Sequence, residues 1–154
     1  SLKSIKVKFP KYYFSKISNF SSQLTYFQLK DKNRRKRLFE LRKKKNNYYL
    51  EKLSSIKNKQ FNLIQIKDQN YQNFLDFPIL VKNKNNLNKY LLDKGVEVRY
   101  KHYYNCEKMF GIRKECVNSE KYEKELICLP VHPKISLSYI DFIVKNIEAY
   151  NSKL

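Results

Sequence analysis

From about Phe20 to Ile56 the apolar residues Phe20, Leu24, Phe27, Leu38, Leu41, Tyr48 and Ile56 recur largely at three- and four-residue steps. Such steps keep them on one side of a 3.6-residue helix. No Gly or Pro interrupts the stretch. The spacing predicts a long helix over 20–57, either whole or broken near Asp31-Lys32-Asn33, with Asp31 or Asn33 capping the second piece. Residues 1–19 read as an extended or irregular lead-in, punctuated by Pro10. The basic residues Arg34 to Arg37 and Arg42 to Lys45 fall on this helix and are expected to spread around it and face solvent.

After Ile56 the period shortens. Phe61, Leu63 and Ile64 to Ile66 suggest a strand, and Phe74 to Val81 a richer one, in which Pro78 predicts an edge position or a bulge. Asn85 to Lys94 reads as a short helix with Leu87, Tyr90 and Leu91 on one face, and Gly95 stands where it should stop. Val96 to Tyr100 alternates like a strand, with Arg99 and Lys101 expected on opposite sides. Ser119 to Glu125 predicts another short helix, and Leu126 to Leu129 a buried strand stopped by Pro130. Ser136 caps a last helix whose Ile140, Ile143, Val144 and Ile147 share one face. Ile143 and Ile147 are expected against the sheet carrying Leu80 and Leu129. Residues 58–154 therefore read as a small α+β domain, a largely antiparallel sheet packed by helices, preceded by the long helix.

The 154 residues amount to one domain, and 42% hydrophobic content supports a core. No run approaches the roughly 18–20 apolar residues of a membrane span, so no membrane partner is expected. Cys106, Cys116 and Cys128 are odd in number and irregular in spacing. They predict neither a disulfide framework nor a metal site, but small buried thiols in a reducing, cytoplasmic setting. The formal net charge of +19 points to polyanion binding that is weak and salt-sensitive. A proteome-wide bias toward AT-rich codons accounts for the same lysines, since they are scattered apart from one dense run.

No Gly-rich phosphate loop, HExxH or GxSxG occurs in the sequence. What stands out is Arg99-Tyr100-Lys101-His102-Tyr103-Tyr104-Asn105, a guanidinium, an ammonium, an imidazole and three phenols in one segment. That set suits an anionic, ring-bearing ligand, because Arg and Lys pair with phosphate and Tyr stacks on rings. A surface loop whose aromatics pack on the sheet would show the same residues.

An ordered series of segments resembles the DegT, DnrJ and StrS group of PLP-dependent sugar aminotransferases. Phe77 to Val81 is similar to the strand that opens that family's small domain. Leu87 to Gly95 with Val96 to Arg99 resembles its helix, glycine and strand unit. His102-Tyr103-Tyr104 resembles the His-Tyr segment that follows, Leu126 to Pro133 its Leu-Pro-hydrophobic-x-Pro signature, and Ser136 to Ile147 its closing helix. Lys16 to Asn19, Gln28-Leu29 and Arg34 to Arg37 resemble the approach to the long interdomain helix. Phe14 and Lys16 stand where that approach usually has Asn and Arg, a departure that bears on the phosphate contact it makes to a neighbouring subunit.

The resemblance implies the small domain of a fold-type I PLP aminotransferase, the C-terminal portion of a longer enzyme. The parent reaction would move an amino group from glutamate to a keto-sugar nucleotide. PLP serves the full-length family, but the imine-forming lysine, the Asp at the pyridine nitrogen and most phosphate ligands belong to an upstream large domain. The chain alone is therefore expected to hold no PLP and to be inactive, with no catalytic residue of its own. Its partners would be the large PLP-binding domain, in cis or in trans, and a second copy in a homodimer. Arg99, His102 and Tyr103 are the substrate-binding candidates, and Lys16 the candidate for the neighbouring subunit's cofactor phosphate. Two other readings stay open: a basic nucleic-acid-binding module built on the Arg34–Lys45 helix, and a non-catalytic degenerate paralogue.

Overall fold

A computed structural model describes residues 18–57, 59–64, 73–101, 104–106, 111 and 117–152. The helical stretch at the start is divided in two, α1 (Asn19–Lys30) and α2 (Lys32–Ser55). Each has a side-chain cap. Ser18 accepts from the Ser21 amide, and Asp31 accepts from the Arg34 amide at 2.8 Å. Asp31 thus ends one helix and starts the next, because its carboxylate replaces a carbonyl that the first turn lacks.

Three strands follow in the described residues: β1 (Phe61–Leu63), β2 (Asp76–Val81) and β3 (Leu126–Pro130). They form an antiparallel sheet in the order β1-β2-β3. Helix α3 (Lys84–Asp93) follows β2, α4 (Val117–Glu125) runs into β3, and α5 (Leu137–Asn151) closes the domain. The α+β architecture predicted from the periodicity is the one observed.

One sheet face carries the main core. Phe61, Phe77, Ile79, Val81, Ile127 and Leu129 pack there with Tyr49 and Leu53 of α2, Leu87 and Leu91 of α3, and Ile140, Ile143 and Ile147 of α5. Leu80 falls on the other face, in a smaller cluster with Leu126 and Cys128. Ile143 and Ile147 are therefore buried as expected, but not against Leu80, because neighbouring strand residues point to opposite faces. Gly95 lies at φ +76° and closes α3. The Gly95 amide donates to the Leu92 carbonyl, and the Val96 amide donates to the Leu91 carbonyl. This pair of bonds is a Schellman stop, in which buried Val96 packs back toward buried Leu91.

Two strand expectations need correction, and a third falls partly outside the described residues. Pro78 lies in the central strand, not an edge strand. It stays compatible because β1 ends opposite Ile79. On the other side, Cys128, opposite Pro78, spends its backbone groups on Arg99. The missing N–H of Pro78 therefore points past the end of β1 and costs no bond of the β1–β2 ladder. The expected strand at Val96–Tyr100 reduces to a bridge between Arg99 and Cys128. The first strand stops at Leu63, while residues 65–72 lie outside the described set. Cys106 is exposed rather than buried, Cys128 is buried as expected, and Cys116 is outside the described residues.

Candidate functional site

Helix α2 fixes two loops with one turn of side chains. Lys45 buries its stem and donates its ammonium to the carbonyls of His132 (2.9 Å) and Pro133 (2.5 Å). Burial pushes this lysine below its ordinary pKa. Asn46, also buried, donates to the carbonyl of Phe74 at 3.4 Å. Phe39 meets the Phe74 ring edge-on at 5.4 Å between centroids. Phe74 holds φ +50°, a left-handed conformation that a bulky residue adopts only where packing imposes it. The basic run is therefore only partly a solvated face: Arg34 to Arg37 are exposed, but Lys45 is a buried clamp.

Between the two tethered loops lies a pocket of about 330 Å³, lined by Arg42 of α2, Leu75 and Asp76 before and in β2, Glu97 to Arg99, Cys128 and Pro130 of β3, and Val131 and His132. The alternation around Val98 explains the third segment. Val96 and Val98 turn into the core while Glu97 and Arg99 are exposed. The same two-residue period leaves Lys101 exposed like Arg99, not on the opposite side. Arg99 Nη1 pairs with Asp76 Oδ2 at 3.0 Å, with the carboxylate the more buried partner. His132 Nδ1 accepts from the Lys134 amide at 3.2 Å, which leaves Nε2 to carry the ring proton and donate. The side chains of Arg42 and Glu97 make no hydrogen bond or ion pair among the described residues.

Of the residues singled out from the sequence, Arg99 lines this pocket. Lys101 Nζ lies 5.3 Å from the centroid of the Tyr100 ring at the exit of the segment. His102, Tyr103 and Lys16 lie outside the described residues. Sequence reasoning passed over Arg42, Glu97 and His132. The Glu97 and Arg99 pair was visible as polar positions alternating with valines. Arg42 and His132 carried no comparable signal, since only the tertiary fold brings residues so distant in sequence together.

The pocket does not fit PLP, which must be held by a lysine as an imine. No lysine lines it. Among the described residues, the two lysines that burial holds below their ordinary pKa spend their ammonium groups on backbone carbonyls, Lys45 as above and Lys84 on Glu123. Among the described residues no group of His, Cys, Asp and Glu could hold a metal ion. No described helix is long and apolar enough to cross a membrane.

Residues 12–148 match the DegT/DnrJ/EryC1/StrS aminotransferase family. The chain belongs to that family. Solved members share its fold at low identity. A Streptococcus pneumoniae protein assigned as a sugar aminotransferase, in its PMP form, is 17% identical with a TM-score of 0.70, over 89% of this chain and 36% of that one. A DegT DnrJ EryC1 StrS aminotransferase from Brucella abortus is 18% identical with a TM-score of 0.63, over 73% of this chain and 31% of that one. A sugar aminotransferase from Micromonospora echinospora is 15% identical with a TM-score of 0.60, over 74% and 31%. The chain thus spans about a third of the length of these structures. No curated protein matches it.

Proposed function

We propose that this family member is the C-terminal, small-domain portion of a PLP-dependent sugar-nucleotide aminotransferase. In the whole enzyme the reaction would be amino transfer from glutamate to a keto-sugar nucleotide. The observation that carries the reading is α1. Leu24, Tyr26, Phe27 and Leu29 are all exposed, at 48% to 68% of their surface. A 12-residue helix is marginal in water unless tertiary packing covers an apolar face. A chain one third the length of its solved relatives leaves room for a domain that would cover it. On this reading the large domain, in cis or in trans, supplies the lysine and the cofactor, and a second copy completes a homodimer. Arg99, His102 and Tyr103 bind substrate, and Lys16 reaches the neighbouring subunit's cofactor phosphate. The exposed run Arg34 to Arg37 adds weak polyanion affinity that salt removes.

The test fuses this chain to the large domain of the Streptococcus pneumoniae relative. The fusion should bind PLP and convert it to PMP when given L-glutamate, while the chain alone should do neither. Stoichiometric borohydride trapping of PLP on one lysine of the isolated chain would refute the reading.

A further inference from the structure

The pocket between the tethered loops presents charges of both signs that the other described residues leave without partners. Arg42 offers a guanidinium and Glu97 a carboxylate, yet neither pairs with the other or with any described residue. The other described ionic groups on its wall, Asp76 and Arg99, pair with each other. His132 adds an N–H donor at Nε2. A cation and an anion that line one open cavity without closing on each other, both reachable by solvent, suit a ligand with both charges. A phosphate would answer Arg42 but meet Glu97 and Asp76 as like charges. A neutral sugar would form an ion pair with neither. A small zwitterion answers each, with its carboxylate on the planar fork of Arg42 and its ammonium on Glu97. The volume of about 330 Å³ sits at the lower end for ligand pockets, which suits a small molecule rather than a nucleotide.

The walls are also held in place. Lys45 pins the carbonyls of His132 and Pro133, Asn46 pins that of Phe74, and the backbone of Phe74 is in a left-handed conformation directly before Leu75 and Asp76. A site whose supports are fixed loses less entropy on binding. We propose that this pocket binds a free α-amino acid with a small side chain, through Arg42 for the carboxylate, Glu97 for the ammonium and His132 as an auxiliary donor. The site needs neither PLP nor a large domain, so it stands or falls separately from the aminotransferase reading.

The experiment titrates the 154-residue chain with L-alanine and follows heat and backbone amide shifts. Saturable binding is expected, with shifts at Arg42, Glu97 and His132. Propionate, which lacks the ammonium, and isopropylamine, which lacks the carboxylate, should each bind at least about tenfold more weakly. Arg42→Gln and Glu97→Gln should each weaken L-alanine by about tenfold to a hundredfold, the scale of a hydrogen bond to a charged group. Their thermal melting should match the parent chain, since neither side chain pairs with another described residue. Absence of saturable L-alanine binding, equal binding of propionate, or glucose 1-phosphate binding in preference to L-alanine would each overturn the proposal. So would full retention of binding in both variants.

Discussion

Replacing Lys45 with Met tests the claim that this lysine is a structural clamp and not one more solvated charge. Methionine keeps most of the buried stem, so little packing is lost and the hydrogen bonds are isolated. The His132 carbonyl would keep the Ile135 amide as a donor at 3.1 Å, but the Pro133 carbonyl has no other donor among the bonds described. The first loss is one charge-assisted bond, and the second leaves an orphan acceptor at about 1–3 kcal/mol. Removing the ammonium also relieves the cost of burying it, the same cost that lowers its pKa. The net expectation is a loss of about 2–4 kcal/mol. For a chain of this size that lowers the melting temperature by roughly 5–15 °C. The sign with pH follows from linkage: a lysine with a lowered folded pKa binds fewer protons folded than unfolded, so its contribution grows as pH rises through that folded pKa toward 10.5. Thermal and urea denaturation at neutral pH measure the effect. A Lys45→Met chain as stable as its parent would refute the clamp.

Two further substitutions probe the core. Ile143→Ala should cost about 2–5 kcal/mol in urea denaturation, because Ile143 is fully buried against the sheet from α5 and the cavity cannot fill; a change under about 1 kcal/mol would sink the packing described. Tyr49 is fully buried, donates to the Pro130 carbonyl at 3.2 Å, and burial pushes its phenol well above the ordinary range. Its contribution is present in full below the ordinary phenol pKa of about 10 and is lost as pH rises above it. Tyr49→Phe should therefore cost about 0.5–1.5 kcal/mol at neutral pH and make alkaline unfolding less steep, as followed by circular dichroism; an unchanged alkaline profile would contradict the burial.

The sequence alone determined the elements whose signals are local. Ser136 caps α5 by accepting from the Tyr139 amide, Gly95 ends α3 through its left-handed φ, and Asp31 divides α1 from α2. Each depends on a few neighbouring residues, and so did the buried stripe Ile140, Ile143, Val144 and Ile147, which is fixed by the helical period. Strand neighbours were not legible, because pairing joins residues far apart in the chain. Pro78 read as an edge signal, but it sits in the middle strand at a register that β1 no longer reaches. Lys45 looked like its basic neighbours, yet only the loop brought back after β3 supplies the carbonyls that bury it. The pocket likewise joins Arg42, Asp76, Glu97 and His132 from segments with no common local pattern. Local rules set each helix and turn through short-range bonds and side-chain periodicity. The tertiary structure decided which charges stay in water, which are clamped and which face one another, because desolvation and ion pairing depend on what the rest of the chain places nearby.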